Sequence, residues 1–433
     1  MIQQFRDETK MTFQIVPPLY LPFYNQWGKN AYSTYSAFSY DPFNLPAIST
    51  SGSPVVLTCG GFFGFLNGDV GGTFSYDGCG TLTVTCPPGQ ALYYNENCNP
   101  HAEWMEYNKV VLEGAPSQKS GDFWGALEYC TWVEQKKEAV KKGSKNMQSC
   151  LCESFVYDYM KRVDKMGLPK GKLTIDDGWD IRYDSAGNMR YGNWDIDRDK
   201  FPHMEQLVKD MTNEGFIPGL WFAPFTVTPN STLALRYPRL LGEYFPGGEL
   251  ELTRKLTFLK PDPVLEKYYK DIFEKYIQMG FRKFKLDMSY GDKREMKELL
   301  RIMYGVIKSI DRSVEVEAHI PDIFVSRYCD TVRINDVAFD EEEQWRAVTM
   351  EHYKVCRYSS PDKILNLDHI GTNTPIPREE QYLAHLKLLM SLSGGYPCVS
   401  LLPDLFGQGA VDTFVGRVRE WDENRKNAMA LIY

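Results

Sequence analysis

The chain has 433 residues, 43% of them hydrophobic, enough for one large domain and a smaller companion. Its formal net charge is −8, which argues against nucleic acid or an anionic membrane surface as the main partner. The N-terminal stretch MIQQFRDETKMTFQIVPPLY has no apolar core of signal-peptide kind, and no apolar run of membrane-spanning length occurs, so neither a leader nor a membrane span is expected. Residues 1–122 are rich in Gly, Pro, Ser, Thr and aromatics. Short strand-like runs (PVVLTC, FFGFL, TLTVTC and ALYYN) are separated there by the turn signals NGD, YDG and PPG. That pattern predicts an all-β, sandwich-like N-terminal domain.

From residue 123 to 433 short apolar strands alternate with helical patterns. The predicted strands are 126–133, 172–177, 216–224, 281–287, 314–320, 330–337, 363–370 and 395–402. Helix-like stretches such as FVYDYMKRVDKMG, MEQLVKDMTNEG and LEKYYKDIFEKYIQMG lie between them, and several end in Gly, as a helix C-cap does. Eight strands with crossovers predict a (β/α)8 TIM barrel. A doubly wound open sheet is the alternative. Its nucleotide-binding version lacks support, because no Gly-rich loop follows the first strand.

A TIM barrel builds its active site at the C-terminal ends of its strands, and the polar residues cluster at such ends. The second strand ends in Asp176, Asp177, Gly178 and Trp179, and the third carries Trp221. The fourth ends in Lys285 and Asp287, two apart and therefore on one side. The fifth ends in Glu317 and His319, the sixth in Arg333, Asn335 and Asp336, and the seventh in Asn366, Asp368 and His369. Carboxylates that accept hydroxyl hydrogen bonds, cations that donate them and indoles that cover an apolar face suit a polyhydroxylated ligand.

Each of these residues also has a plainer structural explanation. The DDGW turn can be capping chemistry, Lys285 with Asp287 a structural ion pair, and His319 and His369 satisfied core residues. Asp368, His369 and His319 lack a metal-ligand spacing, so no metal is expected, and no cofactor is required. No G-x-S-x-G elbow appears, which leaves serine-hydrolase chemistry unsupported. The ten cysteines are too sparse for a disulfide scaffold and form no CxxC pair. They are expected to be reduced, in a cytoplasmic protein. Two carboxylates at different strand ends are the minimum equipment of a glycosidase: one ionised, one protonated.

Six segments in order resemble the retaining α-galactosidases of glycoside hydrolase family 36, in the clan that also holds family 27. They are Cys130-Thr131-Trp132, TIDDGW (174–179), GNWDIDRDKFP (192–202), GFIPGLWFAPFTVTPNS (215–231), FKLD (284–287) and VRIND (332–336). The likeness spans about 127–405. It implies a retaining α-galactosidase that needs no cofactor and acts on an oligosaccharide or glycoside; homo-oligomers are common in related enzymes. It implies Asp287 as nucleophile and Asp336 as acid/base. Asp336 stands three residues after Arg333 where the family has four, so Asp340 is the fallback. Asp176, Asp177, Trp221, Lys285 and Arg333 are implied to bind the sugar, and Trp132, Trp179, His319 and Asp368 belong to the same expected pocket. Glu317 and His319 replace the family's small or Cys residues after the fifth strand. The chain stops near the eighth helix, so the family's usual C-terminal β-domain is expected to be absent. The alternatives are an α-glucosidase, an α-N-acetylgalactosaminidase or a transglycosidase on the same fold, an inactive sugar-binding barrel, or a lyase or isomerase.

Overall fold

A computed structural model describes residues 1–15, 48–50, 55–58, 60–113, 123–183, 185, 190–244, 256–289, 293–319, 322–334, 337, 345–370 and 377–425. Eight parallel strands close into a barrel. They are β1 (Glu128–Cys130), β2 (Lys172–Ile175), β3 (Ile217–Phe222), β4 (Lys283–Leu286), β5 (Glu315–Ala318), β6 (Thr331–Arg333), β7 (Ile364–His369) and β8 (Gly395–Val399). Each pairs with its successor, and β8 closes on β1. Every predicted strand is present, trimmed by one to four residues at an end. At the C-terminal ends of β2, β4 and β5 the trimming falls on site residues. Asp176, Asp287 and His319 lie just beyond their strands, where the backbone leaves the ladder and turns over the barrel mouth.

The crossovers include the helices Glu153–Met166, Met204–Asn213, Val264–Met279, Lys293–Ile310, Trp345–Ser359 and Glu379–Met390. Gly167 and Gly280 end two of them with φ of 64° and 118°, the left-handed geometry a side chain resists. Apolar residues pointing out of the strands pack under these helices. Phe222 of β3, for example, meets Phe273 and Tyr276 of the helix before β4 edge-on, at 5.3 and 5.6 Å between ring centroids.

The interior of the barrel is charged. Alternate residues of β1, β2, β4, β5 and β7 place Glu128, Lys172, Lys283, Glu315, Glu317 and Asn366 inside, all buried. Lys172 pairs with Glu315 at 3.1 Å and Lys283 with Glu317 at 2.5 Å and with Glu128. The Asn366 amide donates to Glu128 and Glu317 at 2.8 Å each. Buried charge is tolerated only when each group finds partners of this kind.

The N-terminal region forms two four-stranded antiparallel sheets, ordered Ile2–Gln4, Ala91–Asn95, Phe62–Phe65, Val55–Leu57 and Thr9–Gln14, Thr81–Cys86, Thr73–Tyr76, Ile48–Thr50. In TLTVTC the residues Leu82, Val84 and Cys86 face the core while the threonines are half-buried, the alternation the sequence displays. Beyond the strand pattern read from the sequence, a helix spans Pro100–Val111. Asn99 caps it by accepting from the amides of His101 and Ala102 at 3.1 and 3.3 Å, and Pro100 starts it. This helix docks on the barrel through Trp104, whose ring stacks on Tyr358 at 4.9 Å.

Candidate active site

At the C-terminal mouth, β2, β3, β4, β5, β6 and β7 bring Asp176, Trp221, Lys285, Asp287, His319, Arg333 and Asp368 together. Asp287 is the most open acid of the group. Its side chain is 23% exposed, against 3% for Asp176 and Asp368. Its backbone amide still donates to Phe222 of β3 at 2.8 Å, which anchors it to the barrel rim. The Trp221 indole donates to its Oδ2 at 3.1 Å, and the Met288 amide to its Oδ1 at 2.7 Å. Met288 adopts φ of 53°, a left-handed conformation that costs a non-glycine residue energy and turns the chain away straight after the carboxylate. Arg333 Nη2 stands 3.5 Å from Oδ1. Burial pushes the Asp287 carboxyl up, but its neighbours, Arg333 above all, outweigh burial and hold it well below the usual carboxylate range.

Lys285 does not pair with Asp287. It reaches across the mouth to Asp176 Oδ2 at 2.8 Å, and the Cys130 sulfur lies 3.0 Å from the same oxygen. Burial works against the Lys285 ammonium, yet Asp176 and Cys130 hold it well above its usual range. Arg333 Nη1 donates to Asp368 Oδ1 at 3.1 Å, and Arg333 Nη2 lies 2.9 Å from His319 Nδ1. Asp368 sits at φ of 59° and accepts from His369 Nδ1 at 3.1 Å. For His369 burial works downward, but Cys130 and Asp368 prevail and push the imidazole up to about 10.

The remaining expected residues lie elsewhere. Asp177 is buried and held by Arg182 and by Gln148 Nε2 at 3.0 Å. Arg182 also meets Asp180 at 3.1 Å. Trp179 has no exposed surface. Its indole donates to the Trp221 carbonyl at 2.9 Å and its ring packs against Phe222 and Tyr276, which corrects its expected place in the pocket wall: it supports Trp221 from behind. Trp132 is half-buried and opens the helix after β1, with Lys136 5.5 Å from its ring. Asp336 and Asp340 lie outside the described residues. The sequence reading overlooked Arg182 and Gln148. A DDGWDIR run with Arg five residues after Asp177 was the available signal for the first; Gln148 comes from a separate turn and left none.

Among the described residues no group of three or more His, Cys, Asp or Glu is arranged to hold a metal, and no helix is long and apolar enough to cross a membrane.

The Melibiase family model matches residues 153–249, the segment that contains the β2 turn, Trp194 and Trp221. Among solved structures, the chain is similar to TtGalA, the α-galactosidase from Thermus thermophilus solved with p-nitrophenyl α-D-galactopyranoside. The TM-score is 0.67 at 16% identity, over 96% of this chain and 89% of that one. The α-galactosidase from Lactobacillus brevis matches with a TM-score of 0.59 at 13% identity, over 97% of this chain and 61% of its own. AgaB, the α-galactosidase from Geobacillus stearothermophilus, matches with 0.62 at 13%, over 97% and 62%. At such identities the likeness is one of fold. The chain spans about three fifths of the length of the last two.

Proposed function

We propose that this protein is a retaining α-glycosidase, most simply an α-galactosidase, acting by double displacement through a covalent glycosyl–Asp287 intermediate. The observation that carries the reading is Asp287 itself: an acid at the barrel mouth, open to ligand, kept ionised by cations. Its Oδ1 faces Met288, Arg333 and His319, whereas Oδ2 meets only the Trp221 indole among the described residues, so Oδ2 is the attacking oxygen. Asp176 and Lys285, fixed by their mutual pair, bind sugar hydroxyls, and Trp221 lines the pocket. Asp336 protonates the departing oxygen and then activates water; the likeness of VRIND to the family's acid/base segment supports this assignment, and Asp340 is the fallback because Asp336 stands one residue short of the family's spacing from Arg333. Retention requires the two carboxyl groups about 5–5.5 Å apart. The division into an N-terminal domain 1–122 and a catalytic barrel 123–433 is part of the same proposal.

The test is cleavage of p-nitrophenyl α-galactoside and α-glucoside by the wild type and Asp287→Ala, with the anomer of the first product read by NMR. No cleavage of either glycoside, or cleavage that survives Asp287→Ala, overturns the reading. A second reading, the same mechanism on another α-glycoside, is favoured by the Arg182 and Gln148 contacts that occupy Asp177. A wider panel of aryl α-glycosides decides it.

A further inference from the structure

The double displacement leaves His319 without a task, although it is buried at the mouth beside Asp287. Its protonation can be deduced. Arg333 Nη2 is 2.9 Å from Nδ1, and a guanidinium only donates, so Nδ1 is the unprotonated nitrogen. The ring proton therefore sits on Nε2. That atom is shut off from solvent and meets no acceptor among the described residues, so it does not reach a ligand in this arrangement. Nδ1 is also 3.8 Å from Asp287 Oδ1, with no proton to offer it. A buried donor left unmatched is uncommon and calls for a reason. The reason lies on the other side of the ring. Besides Asp287, Arg333 meets the Asp368 carboxylate at 3.1 Å through Nη1 and the His319 lone pair through Nη2. Together they fix both arms of the fork, and with the fork fixed Nη2 stands at Asp287 Oδ1.

We propose that His319 is a positioning residue for the reaction: its Nδ1 lone pair, with Asp368, holds the Arg333 guanidinium against Asp287. This rests on the reading of Asp287 as nucleophile. A carboxylate in the place of His319 would bind Arg333 as well, but would add a negative charge beside the nucleophile. A neutral acceptor leaves the charge of Arg333 for Asp287.

Two variants separate this from a packing role. His319→Asn keeps an acceptor within reach of Arg333, and His319→Leu keeps bulk without one. On the best aryl α-glycoside, His319→Leu should lower kcat by roughly tenfold or more with KM changed little, as for loss of transition-state stabilisation. It should also move the acid limb of kcat/KM to higher pH. His319→Asn should recover most of the rate and the wild-type limb. Equal behaviour of the two variants, or an unmoved limb in His319→Leu, overturns the proposal. A second readout needs no turnover. In the 15N spectrum of the full chain, which has 6 histidines, His319 should show an unprotonated Nδ1 and a protonated Nε2. A protonated Nδ1 overturns the proposal even if the wild type cleaves every substrate. A wild type that cleaves none sinks the glycosidase reading instead, and the spectrum still decides the His319 arrangement.

Discussion

Lys285 and Asp176 form a buried ion pair across the mouth of the barrel, 2.8 Å apart, with side chains 5% and 3% exposed. Such a pair is expensive to break, because the survivor is left buried without its partner; burial already pushes the Asp176 carboxyl up to about 8. Lys285→Met or Asp176→Asn alone should cost about 3–5 kcal/mol. The double variant should recover a good part of that, since both charges then leave together. Urea unfolding of the four proteins in a double-mutant cycle gives the coupling. Additive losses would mean that the two side chains do not meet.

Trp221 and Asp287 offer a separate lever on rate. Trp221→Phe keeps an aromatic wall but removes the N–H that meets Oδ2 at 3.1 Å. A hydrogen bond to a charged group is worth about 1.5–3 kcal/mol. A loss of roughly 10–150-fold in kcat/KM follows if the full bond acts in the transition state. Stability should change less than the rate. Steady-state kinetics beside a thermal melt checks this, and an unchanged kcat/KM would remove Trp221 from the carboxylate's support.

Period-two alternation in FRKFKLD correctly put Lys285 inside the barrel and brought Asp287 to its rim. It did not reveal which acid Lys285 meets. Partners across a barrel are set by strand tilt and stagger, so Asp176, 109 residues away in sequence, becomes the neighbour. The charged interior has the same character. EVE in β5 and KFK in β4 each announce alternating charge, but the pairing of Lys283 with both Glu128 and Glu317 appears only once the sheet closes. Local signals were also missed. Asn99-Pro100 with Glu103 is a helix start inside a stretch dominated by strand patterns, and the strands masked it. In the DDGW turn an indole beside two acids resembled a pocket wall, whereas burial settles Trp179 as core.

That placement makes Trp179 a control for the pocket residues. Trp179→Ala removes a fully buried ring packed against Phe222 and Tyr276, and should cost about 3–5 kcal/mol of stability. The folded fraction should keep a KM close to that of the wild type, because the ring offers no surface to a ligand. Denaturation combined with kinetics normalised to active sites tests this. A large rise in KM at undiminished stability would return Trp179 to the pocket.

The pH dependence follows from the direction of the Asp287 shift. Its folded carboxyl lies well below the unfolded value of about 3.9, so the ionised form persists as the solution is acidified. Two consequences have the same sign. Where the fold survives, the acid limb of kcat/KM should lie below about pH 4, not at the usual carboxylate position. The contribution of Asp287 to stability is fully present above about 3.9 and is lost as pH falls through its lower folded value. The stability difference between the wild type and Asp287→Asn should therefore be constant near neutrality and shrink on acidification. Arg333→Gln removes the principal opposing charge and leaves burial to act, so its acid limb should move upward by a unit or more, about 1.4 kcal/mol per unit. Rate profiles of the wild type and Arg333→Gln, with denaturant midpoints of the wild type and Asp287→Asn, supply both readouts. An acid limb identical in wild type and Arg333→Gln would show that Arg333 does not set the charge of Asp287.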